Sequence, residues 1–219
     1  MAKQSTLLVL ALLACLPSMA DAERSRADDT LRISLGVSHD EADFEFEDTE
    51  ATPDTRYTRL ALELWSGEIP GLDVGITGGV GRLSQDDNPA TEGDSVTGEF
   101  LGLMLGRDWS LAERLGLELR AEWVYHDLSG DDLDFEWFDA QGRAGLYTRA
   151  GRWRLASGAT AGIIRGEQRS PDVTRDFDAD NNVGAYVRAG LDTGRGGEIT
   201  LSGELGNRDA VTLRFTRNF

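Results

Sequence analysis

Residues 210–219 read AVTLRFTRNF. Val211, Leu213, Phe215 and Phe219 share one face of an extended chain, and Thr212, Arg214, Thr216 and Asn218 share the other, because successive side chains of a strand point to opposite sides. Arg217 alone interrupts the apolar face, close enough to the end for its charge to reach a polar layer.

The same alternation recurs upstream, over Leu31–Ser38, Tyr57–Trp65, Leu72–Leu83, Val96–Asp108, Leu115–Tyr125, Phe138–Thr148, Trp153–Ile164, Val183–Asp192 and Glu198–Leu205. It is cleanest in the fifth stretch, where Leu115, Leu117, Leu119, Ala121, Trp123 and Tyr125 alternate with Gly116, Glu118, Arg120 and Glu122. With the closing stretch these predict ten strands, or eight if one hairpin falls short. The connections alternate long and short, from 39–56 and 66–71 to 165–182 and 193–197, with a tight turn at 206–209 where a long one is due. Past the N-terminus no segment is apolar for the length a helical membrane span needs. The expected fold class is all-β.

The N-terminus has one positive charge at Lys3, an apolar run from Leu7 to Leu16, and Ala20-Asp21-Ala22 as a small-residue cleavage site. This is the three-part pattern of a secretory signal peptide over residues 1–22, leaving 23–219 as one domain. The one cysteine, Cys15, lies inside the apolar run, so disulfides and cysteine-bound metal are not expected beyond it. A formal charge of −17 excludes a nucleic-acid partner, which needs a basic footprint, and opposes docking on an anionic surface through bulk charge. After Lys3 every basic residue is arginine, the side chain suited to fixed, bidentate ion pairs.

A closing strand of this pattern, ending on Phe, resembles that of bacterial outer-membrane β-barrels, and the whole of 23–219 is similar to them in architecture. The resemblance implies an antiparallel up-and-down transmembrane barrel in a Gram-negative outer membrane, with both termini and the short turns periplasmic and the long loops outside. It also implies a monomer in contact with outer-membrane lipid and lipopolysaccharide. Val211, Leu213, Phe215 and Phe219 would then be read by the outer-membrane assembly machinery. Trp65, Trp109, Trp153 and Phe219 cluster at one end of the strands and Tyr57, Trp123, Tyr125, Trp137 and Phe138 at the other, as two interfacial aromatic girdles would. No single family of small barrels, whether opacity-like, adhesin-like or porin-like, is selected.

On this register the lumen receives Arg32, Arg59, Arg120, Arg143, Arg154, Arg188 and Arg214. It also receives Glu63, Asp73, Asp108, Glu118, Glu122, Asp139, Asp192, Glu198 and Glu204. The expectation is a structural ion-pair network, since buried charges must be paired. The alternative is a narrow channel with opposed charges, for which inward glycines such as Gly36, Gly75, Gly79, Gly81, Gly102, Gly106, Gly158 and Gly184 would leave room.

The excess acid lies in the long connections: residues 40–54 read DEADFEFEDTEATPD, and Asp86, Asp87, Glu92 and Asp94 fill the next. Hydration is the plain reading, and divalent cation binding the sharper one. Asp176, Asp178 and Asp180 are spaced like the first three acids of a calcium loop, without its glycine or its closing glutamate. His39-Asp40 and His126-Asp127, with Asp86-Asp87, faintly resemble the omptin proteases, and His126 with Ser129 resembles barrel lipases. Omptins are much longer chains and the lipase spacings differ, so both histidines are expected to be solvated residues at loop edges. No catalytic residue, resident metal or cofactor is assigned. The expected function is a non-enzymatic envelope protein with acidic external loops, the alternative a narrow channel, and a barrel hydrolase a distant third.

Deleting Phe219 should lower the yield of membrane-assembled protein, measured by surface proteolysis and the heat-modifiable gel shift. Unchanged assembly would remove the terminal strand's role as a signal.

Overall fold

The computed structural model describes residues 31–46, 54–69, 71–85, 95–179, 182–206 and 208–219, with the side chains of 43 and 68 excepted. The signal-peptide stretch with Cys15, the loop acids Asp86, Asp87, Glu92 and Asp94, and Asp180 lie outside the described residues.

Ten antiparallel strands close a transmembrane-type β-barrel: β1 (Leu31–Phe46), β2 (Asp54–Ile69), β3 (Leu72–Gln85), β4 (Ser95–Ser110), β5 (Leu115–Ser129), β6 (Asp134–Ala150), β7 (Trp153–Ser170), β9 (Val183–Gly194), β10 (Gly197–Leu205) and β11 (Asp209–Asn218). The seam runs in register from Arg32↔Asn218 to Glu41↔Asp209. The Phe219 amide donates to the Leu31 carbonyl at 2.9 Å, so the two described ends of the chain meet at one end of the barrel.

An eleventh strand, β8 (Val173–Ala179), lies in the stretch read from sequence as the 165–182 loop. It pairs with the upper part of β7, from Arg165↔Asp178 to Ser170↔Val173. It also pairs with the far end of β1, from Phe44↔Ala179 to Phe46↔Phe177. Below that level β7 pairs with β9 and β1 with β11. The wall is therefore ten-stranded at the end where the turns are short and eight-stranded at the other.

A tilted membrane strand needs about 9–11 residues. β9, β10 and β11, with 12, 9 and 10 residues, come close to that length, whereas β1, β2 and β4 have 16 and β7 has 18. The surplus length forms an upper tier, and its polarity is inverted. Toward β8, the last apolar residues on the outer face are Val37, Leu60, Val80, Leu101, Tyr125, Phe138 and Ile163. The next outward residues are His39, Thr58, Arg82, Glu99, Asp127, Glu136 and Arg165. At the same level the interior changes from charged to apolar: Phe44, Phe46, Tyr57, Leu83, Val96, Leu128, Phe135, Trp137, Ile164 and Phe177 pack as one buried core. Leu103 and Leu62, by contrast, stand 59% and 50% exposed on the lower tier, an apolar exterior that only a hydrocarbon phase covers without cost.

Three aromatic assignments are corrected by this inversion. Tyr57 and Trp137 belong to the upper core rather than to a girdle, and Trp65 turns inward to donate its indole N–H to Glu63 at 3.1 Å. Trp123, Tyr125, Phe138, Trp153 and Phe219 do occupy the outer face.

Placing arginine at Leu103 should cost about 2–4 kcal/mol in a bilayer, against about 0–1 kcal/mol for Glu99→Arg above the belt. Equilibrium unfolding of refolded protein measures both, and equal costs would remove the boundary between the tiers.

Candidate functional site

The lumen of the lower tier is the candidate site, because alternation delivers its charged side chains there from nearly every strand. Near the short-turn end, Glu118 of β5 is fully buried. It accepts from Arg154 at 3.0 Å and from the Tyr186 hydroxyl at 2.8 Å, and it pairs closely with Arg188. Arg154 also reaches Asp108 at 2.9 Å, and Arg120 holds the other oxygen of that carboxylate at 2.8 Å. Across the lumen, Arg214 of the closing strand pairs with Glu63 at 2.7 Å, and Arg32 pairs with Asp73 at 2.8 Å. Midway up, Arg59 meets Asp40 at 3.1 Å, and Arg143 faces Glu122 at 3.9 Å. Arg154 lies 4.1 Å from the centroid of the Tyr147 ring, which adds a cation–π contact.

Two members of the expected set stand near the rim, Asp192 exposed and Glu198 partly exposed on the inward face. The Asp192 Oδ1 accepts from the Gly194 amide at 2.6 Å and so shapes the β9–β10 turn. Glu198 accepts from the Thr200 hydroxyl at 2.9 Å on its own strand.

Arg208, absent from the expected set, is a central member. It lies on the tight turn between β10 and β11 and folds inward beneath the upper tier, only 9% exposed. It donates to Asp139 and to Gln141, each at 2.8 Å, while Gln141 donates to Glu204. Its only sequence signal was the break in rhythm at 206–209, too short to be a loop that rises with the long strands.

Side chains occupy the space beside several inward glycines: Trp65 and Met104 lie over Gly75, Arg120 over Gly106, and tyrosines over three others. A Cβ at Gly81 would stand 2.2 Å from the Tyr57 hydroxyl, one at Gly116 2.2 Å from the Tyr147 ring, and one at Gly145 2.3 Å from the Tyr186 hydroxyl. Between the arginines lies a cavity of about 50 Å³, enough for a few waters, and another of about 30 Å³ adjoins Asp40, Arg59, His126 and Arg208. The walls of the larger one include Arg59, Arg143, Arg208 and Arg214 facing Asp40, Glu63, Glu122 and Glu204, so the signs balance.

Above this layer His126 is 1% exposed, a correction to its reading as a solvated loop-edge residue. Its ring stacks on Trp137 with centroids 4.2 Å apart and planes 6° apart, and its Nδ1 is 3.1 Å from the Tyr57 hydroxyl. Asp127 and Ser129 point outward from the same strand while His126 points inward. His39 is exposed beside Thr58, and Asp40 turns into the lumen toward Arg59. Neighbours in a strand cannot face each other, so neither His-Asp pair forms a dyad.

Asp176 and Asp178 stand exposed on the outer face of β8. An extended strand does not wrap around an ion as a loop does. Among the described residues no group of three or more metal-ligating side chains converges.

No protein-family model matches the chain, and no curated protein matches its sequence. Solved structures similar to it are outer-membrane proteins. One is the outer membrane protease OmpT from Escherichia coli, at 9% identity and TM-score 0.43, covering 87% of this chain and 97% of that one. Another is Ail, the attachment invasion locus protein of Yersinia pestis, at 11% identity and TM-score 0.40, covering 85% and 96%. A third is an outer membrane channel from Pseudomonas putida F1, at 12% identity and TM-score 0.49, covering 91% and 99%. A protease, an attachment protein and a channel share this likeness, which selects none of their activities for this chain.

Glu118→Ala should destabilise the barrel by about 3–5 kcal/mol, because Arg188 then keeps a buried charge without its carboxylate. Adding Arg188→Ala should recover part of that loss. Additive losses in this double-mutant cycle would show that the two do not act as a pair.

Proposed function

We propose that this chain is an integral outer-membrane protein with a closed lumen. It acts in the envelope through the rigid acidic tier that it holds above the membrane, and neither conducts nor hydrolyses. The carrying observation is a dry core stacked directly on a paired lumen: Leu83, Leu128 and Phe135 are no more than 1% exposed in the upper tier, and ion pairs fill the space below. An eight-stranded wall has an interior just wide enough for side chains to fill, so an axial path for a solute ends at that core.

In this reading the short turns and the meeting ends of the chain lie on the periplasmic side. The upper tier presents Glu41, Glu45, Asp127 and Asp134 to the outside, where acidic side chains stay hydrated and engage divalent cations among lipopolysaccharide headgroups. The protein works as a monomer, and the closing strand serves as its assembly signal.

Purified, refolded protein should give no stable openings in a planar bilayer at any voltage that the bilayer survives. Stable openings whose size shifts on Arg120→Ala or Arg143→Ala would replace the closed-lumen reading with that of a narrow channel.

A further inference from the structure

Among the described residues six arginines are exposed at the short-turn end: Arg107, Arg114, Arg149, Arg152, Arg195 and Arg217. Arg107 and Arg217 point outward near the ends of β4 and β11. Arg114, Arg152 and Arg195 occupy the β4–β5, β6–β7 and β9–β10 turns, and Arg149 lies at the lumen mouth. The lumen arginines each have a carboxylate partner. None of these six has one among the described residues.

Their setting holds them at headgroup depth. The Arg107 guanidinium lies 4.9 Å from the centroid of Trp109, and that of Arg217 lies 5.6 Å from Phe219. Trp153 and Phe219 stand about half exposed on the outer face at the same end, where aromatic rings mark a membrane interface. Arg152 uses its Nε on the Asp192 carbonyl at 2.8 Å and keeps its other donors. Arg195 stands at φ 53° between Gly194 and Gly196, which also have positive φ. That conformation is unfavourable for a residue with a Cβ, yet it puts a charge at the tip of the turn.

Among the described residues the exposed acids at this end are few: Glu113 and Asp192, whose side chain is engaged with the Gly194 amide, with Glu68 there by position and Glu198 partly exposed. A chain of net charge −17 is repelled by an anionic surface as a whole, but the barrel separates its charges toward opposite ends. We infer that the short-turn rim is a binding surface for anionic phospholipid headgroups in the leaflet on that side. Guanidinium groups match phosphate oxygens in bidentate geometry. Each arginine near an anionic surface strengthens binding about fivefold.

The inference rests on the membrane insertion proposed above, and the test separates the two. Wild-type protein is inserted into phosphatidylcholine vesicles with and without phosphatidylglycerol. Insertion is read by the heat-modifiable gel shift, and retained lipid by native mass spectrometry after transfer to detergent. Wild type should insert into both and retain phosphatidylglycerol in preference to phosphatidylcholine. Arg107→Gln/Arg217→Gln and Arg152→Gln/Arg195→Gln should each insert normally and lose that preference by about tenfold or more. Arg82→Gln/Arg165→Gln, which removes the same charge from the upper tier, should keep it. Equal retention of both lipids by wild type, or an equal loss in the upper-tier variant, overturns the headgroup surface and leaves insertion standing. Failure to insert into either vesicle overturns the membrane reading, and this inference with it.

Discussion

The seam between β1 and β11 lasts ten residue pairs, from Arg32↔Asn218 to Glu41↔Asp209, and β1 runs on beyond it. An unpaired edge in hydrocarbon strands backbone donors and acceptors at several kcal/mol each, and in water it invites another strand. β8 relieves both problems by pairing with Phe44–Phe46 on one side and with Arg165–Ser170 of β7 on the other. This change of partner reduces the wall from ten strands to eight. The narrower tier is one that side chains can fill, and Phe177 of β8 itself joins the core that fills it, stacked on Phe44 with centroids 4.5 Å apart.

The same strands serve two solvents. Below the boundary the outer face must be apolar, so polar side chains collect inside and have to neutralise one another. Above it water surrounds the wall, and the usual burial of apolar side chains returns. Arg208 and Asp139 lie at the junction with Arg59, Asp40 and the His126–Trp137 stack. Tyrosines laid over Gly81, Gly116 and Gly145 add to the filling, so these three glycines permit close ring packing.

Where the alternation was apolar outside, as in β5 and β11, the sequence was legible at the level of individual residues. Above the boundary the rule reverses, and the same rule misleads. β8 carries Thr174, Asp176 and Asp178 on its outer face, so its alternation has no membrane-strand character and its acids resembled a cation loop. His126 follows the outward Tyr125 and so has inward parity; what the alternation does not carry is that its inward face is an apolar core at that level. Arg208 had no alternation to place it, being on a turn, and Asp192 had the right parity but stood too near the rim.

Composition and period by themselves determined an all-β chain of ten alternating stretches, or eight if one hairpin fell short, with arginines and carboxylates on the polar face, since period-two alternation assigns faces without reference to distant residues. Closure into an antiparallel barrel was what the resemblance implied. The tertiary structure decided which carboxylate each arginine meets, where the polarity inverts, and that β8 narrows the upper end. Those depend on the stagger between strands and on which edge is left open when β11 stops, and no single strand carries that information.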